Sequence, residues 1–118
     1  MGVRRKAYAR RISHDAELAR YLGARAEEHE DFELMAPRRL ALLNFRYHPR
    51  SVGGAAELDR LNERLLEALN DSGELYLTQN RVRGAYTIRL SIGQTSTERR
   101  HVEAAWTRIR DTARALRA

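Results

Sequence analysis

Residues 86–106, YTIRLSIGQTSTERRHVEAAW, contain the pattern that decides the fold. The first seven alternate between apolar and polar side chains, which predicts a β-strand with one buried face. Arg89 lies in the middle of the polar face of this strand, between Thr87 and Ser91. A single arginine in that position is the chemical feature of the sequence that most suggests a ligand.

The second half of the same stretch predicts a helix that packs against the strand. Thr95 and Glu98 have the spacing of a capping box, which places the start of the helix at Thr95. Apolar residues then recur at helical spacing, so one face of the helix should be buried. These residues are Val102, Ala105, Trp106, Ile109, Ala113 and Leu116.

The rest of the chain predicts two further helices and three further strands. Helices are expected at 3–29 and 57–70, strands at 32–35, 40–47 and 75–79, and a turn at 80–85 before the strand at 86–92. The strand at 40–47 starts with apolar residues on both faces, which favours a central position in the sheet. The order predicts an α+β fold, with a small antiparallel or mixed sheet of about four strands and helices packed on one face.

The face of the sheet without helices is expected to be polar. Such a face meets either water or another domain, and the sequence slightly favours water as the commoner case. In addition to Thr87, Arg89 and Ser91, it should carry some of Asn44, Arg46, Tyr76, Thr78 and Asn80.

Length and composition limit the class of protein. The 118 residues, 42% of them hydrophobic, are enough for a single domain with a core. Within it we expect a long N-terminal bridging helix at 1–30 and a sheet-and-helix small domain at 31–118. The absence of cysteine excludes disulfides and thiol nucleophiles. Because the sequence has no signal-peptide pattern and no apolar run long enough to cross a bilayer, we expect a cytoplasmic location.

The charge of the chain raises a possible alternative function. The net charge is +6, and nearly all basic residues are arginine, since Lys6 is the one lysine. Arginine suits phosphate, so a non-catalytic α+β module that binds nucleic acid or a small ligand is an alternative. A nucleic-acid site requires a clustered basic patch, whereas these arginines are spread along the chain among acidic residues. We therefore do not expect a nucleic-acid partner.

Most catalytic and metal-binding motifs are absent. The four histidines, at 14, 29, 48 and 101, lack metal-ligand spacing, and we assign them structural or solvated roles. The glycines do not form a phosphate-binding signature, and no G-x-S-x-G sequence occurs.

Three segments of the chain together carry a family resemblance. They are DFEL at 31–34 with LLNFR at 42–46, LNERLLEALNDSGELYLT at 61–78, and the stretch at 86–106. In order and spacing they resemble the C-terminal small domain of the pyridoxal-phosphate-dependent group II amino-acid decarboxylases, the family of the aromatic-L-amino-acid and tyrosine decarboxylases. The resemblance covers almost the whole chain.

This resemblance implies a fold, a chemistry and a set of partners. The fold would be the small domain of fold type I enzymes, which works with a large domain, as a homodimer, on an amino-acid substrate. In that family pyridoxal phosphate is bound by a lysine that follows a histidine in the large domain. No such pair occurs here, and Lys6 does not match it, so the chain should contain no catalytic or cofactor-binding residue and should be inactive alone. The resemblance also implies that Arg89 binds the substrate carboxylate, although it could instead pair with an acid across the domain interface.

Overall fold

The computed structural model describes residues 2–71, 77–92 and 97–117, with side chains from residue 14 onward. Three helices and four strands follow one another in the predicted order, which confirms the α+β fold. The elements are α1 Gly2–Glu28, β1 Phe32–Leu34, β2 Leu42–Tyr47, α2 Ala55–Asp71, β3 Leu77–Val82, β4 Ala85–Ser91 and α3 Arg99–Ala115. None of these helices is long and apolar enough to cross a membrane.

The four strands form one antiparallel sheet in the order β1-β2-β4-β3. β2 therefore has the central position that its apolar start predicted, and β3 and β4 form the predicted hairpin. The register places Arg89 of β4 directly between Asn44 of β2 and Thr78 of β3.

The core lies on one face of the sheet, where α1 and α2 pack against the strands and α3 packs against these two helices. α1 approaches the sheet closely at Gly23, where a Cβ atom would lie 3.2 Å from Cδ2 of Leu43. Trp106 of α3 makes an edge-on contact with Phe32 of β1. The core residues are Leu18, Ala19, Leu22, Ala26, Phe32, Leu43, Phe45, Tyr47, Leu61, Leu65, Leu66, Leu69, Leu77, Tyr86, Ile88, Leu90, Ile92, Val102, Trp106, Ile109 and Ala113.

A fully buried polar residue, Asn62, joins α2 to the end of β2. Its side-chain oxygen accepts the backbone N–H of Tyr47 at 2.7 Å. Its amide nitrogen donates to the carbonyls of Tyr47 and Leu58, both at 2.9 Å. Every bond of this side chain is therefore made inside the core, where an unpaired amide would be costly.

The turn between β3 and β4 is shorter than predicted. It consists of Arg83 and Gly84 alone, both with positive φ, at 50° and 82°. Two central residues of that conformation match the right-handed twist of a hairpin. β3 consequently runs on to Val82 instead of ending at Gln79, because pairing with β4 outweighs its polar composition.

Two other predicted boundaries were wrong. β2 begins at Leu42, since Leu40 has a φ of 49° and belongs to a turn. α3 begins at Arg99 with Glu98 as its N-cap, and the backbone N–H of Glu98 donates to Nδ1 of His101 at 2.9 Å. The predicted cap, Thr95, and the predicted strand start at 75 lie outside the described residues.

Candidate functional site

The face of the sheet opposite the helices, here called the open face, carries polar side chains from all four strands. Alternation along each strand places them there, because neighbours of the core residues point the other way. The open face contains Glu33, Asn44, Arg46, Thr78, Asn80, Thr87, Arg89 and Ser91. The prediction is confirmed for Asn44, Arg46, Thr78 and Asn80, whereas Tyr76 lies outside the described residues.

Arg89 occupies the middle of the open face and is exposed. Its Nε donates to Oγ1 of Thr78 at 3.1 Å, which fixes the direction of the side chain. Among the described residues, no carboxylate forms an ion pair with it. Its two terminal nitrogens can therefore form the paired hydrogen bonds by which a guanidinium binds a carboxylate.

An amide bridge crosses β4 next to Arg89. Nδ2 of Asn80 on β3 donates to Oδ1 of Asn44 on β2 at 2.8 Å, and these two strands lie on either side of β4. Thr87, which pairs with Asn80, is fully buried, although the sequence predicted an open polar position. Its hydroxyl donates to the carbonyl of Ala85 at 3.1 Å. We attribute this burial to the bridge, because the bridge spans the strand that carries Thr87.

A second cluster consists of Glu33, Arg46 and His48 near the outer strand β1. Nε of Arg46 donates to Oε1 of Glu33, and Nδ1 of His48 lies 3.2 Å from the same oxygen. Burial alone would raise the pKa of Glu33, but the hydrogen bonds and charges of Arg46 and His48 outweigh it and lower the pKa below its usual value. The carboxylate of Glu33 is therefore held ionised by its two partners.

The sequence did not single out Glu33 as part of the site. Alternation within DFEL places Glu33 on the face opposite the buried Phe32, so the sequence alone could have placed Glu33 on the open face. Its pairing with Arg46, 13 residues away, required the register of β1 against β2.

The other histidines are hydrogen-bonded to the backbone. Nε2 of His14 lies 3.1 Å from the carbonyl of Thr97, and Nδ1 of His29 accepts the backbone N–H of Asp31 at 3.1 Å. His101 caps α3 as described above. No cluster of His, Asp or Glu among the described residues could hold a metal ion.

The open face does not fit pyridoxal phosphate on its own. The cofactor is held by a lysine amine, whereas the functional groups of the open face are guanidinium, amide, hydroxyl and carboxylate. Lys6 lies in the first turns of α1, where side chains are outside the described part of the chain. What the open face offers is a cation, Arg89, aimed away from the core.

Solved structures reproduce this fold. Oryza sativa TDC, solved with PLP and tryptamine, superposes on 91% of this chain with a TM-score of 0.85 and 27% sequence identity. The superposition covers only 23% of that chain. No protein-family model matches the sequence.

Curated relatives agree with the structural match. Tryptophan decarboxylase TDC2 of Camptotheca acuminata is 37% identical over 89% of this chain and 21% of its own length. Tyrosine decarboxylase 1 of Narcissus pseudonarcissus is 44% identical over 74% of this chain and 18% of its own length.

The chain therefore matches one region of the pyridoxal-phosphate-dependent amino-acid decarboxylases, and the resemblance seen in the sequence is confirmed. Its relatives include plant tryptophan and tyrosine decarboxylases. The chain spans about a fifth of the length of these enzymes, so by itself it lacks the full catalytic site.

Proposed function

We propose that this chain acts as the C-terminal small domain of a pyridoxal-phosphate-dependent L-amino-acid decarboxylase. The observation that carries the proposal is Arg89, a cation on the open face without a carboxylate partner among the described residues. The cofactor, held by a large domain, would supply the electron sink for loss of carbon dioxide from the α-carbon. The small domain would complete the active site from one side.

In this proposal Arg89 binds the carboxylate of the amino-acid substrate. Among the described residues Thr78 engages the guanidinium through Nε, which leaves both terminal nitrogens for two parallel bonds. The carboxylate is also the leaving group, so an arginine that holds it stabilises the bound substrate more than the transition state. Loss of Arg89 should consequently raise KM more than it lowers kcat.

The arrangement of the rest of the enzyme follows from the same proposal. Residues 1–30, which include α1, would bridge to the large domain, and residues 31–118 would form the small domain. The whole enzyme would be a cytoplasmic homodimer. The open face would then lie against the large domain.

A chimeric enzyme tests the proposal. This chain replaces the matching region of the Narcissus tyrosine decarboxylase, and carbon dioxide release from L-tyrosine is measured. We expect the chimera to turn over and the isolated chain to be inactive. A folded chimera that retains pyridoxal phosphate but releases no carbon dioxide would contradict the proposal.

The role of Arg89 is tested in the same chimera with Arg89→Ala. Removing one partner of a desolvated charge pair costs about 2 kcal/mol or more, so kcat/KM should fall about 30-fold, mainly through KM. Arg114→Ala, an exposed arginine of α3 on the other side of the sheet, is the matched control and should change little. If Arg89 instead pairs with an acid across the interface, its loss lowers the thermal midpoint and leaves KM unchanged.

A further inference from the structure

The connection between β1 and β2 ends in a tight turn with Leu40 at its tip. Two backbone hydrogen bonds close the turn, from the N–H of Arg39 to the carbonyl of Leu42 at 3.2 Å and in the reverse direction at 2.8 Å. The backbone of Leu40 is left-handed, with a φ of 49°, and 68% of the residue is exposed. Among the described residues, Leu40 is the one large apolar residue that is exposed.

Both properties of Leu40 are unfavourable in the isolated chain. A left-handed backbone is disfavoured for residues other than glycine, asparagine and aspartate, and an exposed leucine side chain gains nothing from burial. Backbone conformations of this kind are found most often where function requires them.

The tip is nevertheless held firmly in place. Nη1 of Arg38 donates to the carbonyl of Leu40 at 2.7 Å, and the carbonyl of Ala41 accepts the backbone N–H of Ile92 at 3.0 Å. These bonds anchor the turn from both sides, one of them to the segment after β4. Leu40 is therefore presented in a fixed direction, which lowers the entropy lost when a partner binds.

Next to the tip is a cleft of about 520 Å³ between α1 and residues 34–38. Leu34, Ala24 and Pro37 give it an apolar lining. Arg20, Arg38 and Arg83 also line it, against one acid, Glu27. Arg83 reaches the cleft from the β3–β4 turn, and its Nη2 lies 3.5 Å from the carbonyl of Met35.

We infer that the Leu40 tip and this cleft form a docking surface for the part of the decarboxylase that lies outside this chain. The inference rests on the proposed function, and it goes further by naming the surface and the chemistry that fits it. The partner surface should have an apolar pocket for Leu40 and carboxylates facing the arginines of the cleft. Charge complementarity favours this partner over a second copy, because two copies would bring the same arginines together.

The length of the relatives supports the same partner. This chain spans about a fifth of them, so most of the surface available for docking belongs to the rest of the enzyme. Nucleic acid would satisfy the arginines and leave the apolar tip in water, so it fits the surface less well.

Thermal unfolding of the isolated chain and of the chimera, each with Leu40→Gly, tests the inference. Glycine adopts a positive φ without strain, so the midpoint of the isolated chain should stay the same or rise. In the chimera the substitution removes the docked side chain, and the midpoint should fall by several degrees. Shifts of the same sign in both proteins would overturn the inference.

Two further variants keep the result interpretable. Arg38→Glu reverses one charge of the cleft and should lower the midpoint of the chimera, more strongly at low salt. Ala104→Asp, at an exposed position of α3, is the control and should shift both proteins alike. If the chimera does not fold, this chain is co-expressed with the relative lacking its matching region, and copurification must depend on Leu40.

The outcomes separate this inference from the proposed function. The activity of the unsubstituted chimera reports on the function, whereas the unfolding midpoints report on docking even if the chimera is inactive. Sedimentation of the isolated chain adds a second criterion. Dimerisation that disappears with Leu40→Asp would identify a second copy as the partner and would overturn the inference.

Discussion

The two faces of the sheet are made by the same strands but are stabilised in different ways. On the helix-covered face, Ile88 is fully buried in the apolar core. On the open face, the next residue, Arg89, is exposed and bonds Thr78. Burial of apolar area holds the first face, and pairwise hydrogen bonds satisfy the second. The apolar core and the exposed arginine thus lie on opposite sides of one strand, so each should respond separately to substitution.

The sharpest test of this comparison uses these two neighbouring residues in the isolated chain. Ile88→Ala removes a fully buried side chain and should lower the free energy of unfolding by about 2–5 kcal/mol. Arg89→Ala removes an exposed side chain and should cost less than about 1 kcal/mol. Urea unfolding followed by tryptophan fluorescence measures both, since Trp106 lies in the core.

Equal costs for the two substitutions would break the comparison. They would mean that Arg89 stabilises the fold through bonds beyond the one to Thr78. A variant with both substitutions serves as a check, since adjacent residues on opposite faces should have nearly additive effects.

Asn62 is the polar exception on the covered face, and its removal should have the next largest effect. Asn62→Ala leaves the N–H and the carbonyl of Tyr47 buried without their side-chain partner. Such groups cost about 1–3 kcal/mol each, and two groups in the lower to middle part of this range give an expected loss of about 2–4 kcal/mol. Hydrogen exchange should become faster at the amide of Tyr47 in particular.

A loss below about 1 kcal/mol would show that the backbone of β2 finds other partners. Asn70→Ala is a suitable control, because the side chain of this exposed residue of α2 bonds, among the described residues, to the carbonyl of Leu77 at 3.2 Å. It should cost less than Asn62→Ala.

The smallest expected effect is a pH dependence of the open face. The pKa of Glu33 in the folded chain is below its ordinary value of 4.5. A lowered folded pKa means that the stabilisation is complete above pH 4.5 and is lost as the pH falls below it. Because Glu33 and His48 are partly exposed, we expect less than about 1 kcal/mol.

Glu33→Gln provides the measurement, by comparing stability against pH with the unsubstituted chain. The two curves should differ at neutral pH and converge as the pH falls through the folded pKa of Glu33. Parallel curves between neutral and acid pH would show that Arg46 and His48 do not stabilise the ionised carboxylate.

Much of the fold was predictable because the relevant signals are local. Alternation in 86–92 and helical spacing after it predicted β4 and α3, and the order of the seven elements was correct. The boundaries that failed, at Leu40, at 80–85 and at the start of α3, depend on backbone conformations that partner segments decide. The turn at Arg83 and Gly84 is one case, since pairing with β4 extends β3 through a polar sequence.

The candidate site was predictable only in part. Arg89 was found because it interrupts a small polar face, and its role in substrate binding remains a proposal. Glu33 was missed because it becomes part of a cluster only through its contacts with Arg46 and His48. Arg46 lies on β2 and His48 directly follows β2, so neither is near Glu33 in the sequence.

By itself, the sequence determined the α+β class, the covered and open faces, the position of Arg89 and the resemblance to the decarboxylases. These follow from side-chain periodicity and from the order of short motifs, which are properties of the chain read along its length. Only the tertiary structure decided the strand register, the amide bridge over Thr87, the Glu33 cluster and the left-handed turn at Leu40. Each of these depends on contacts between distant segments, and their geometry is fixed when the sheet and helices pack together.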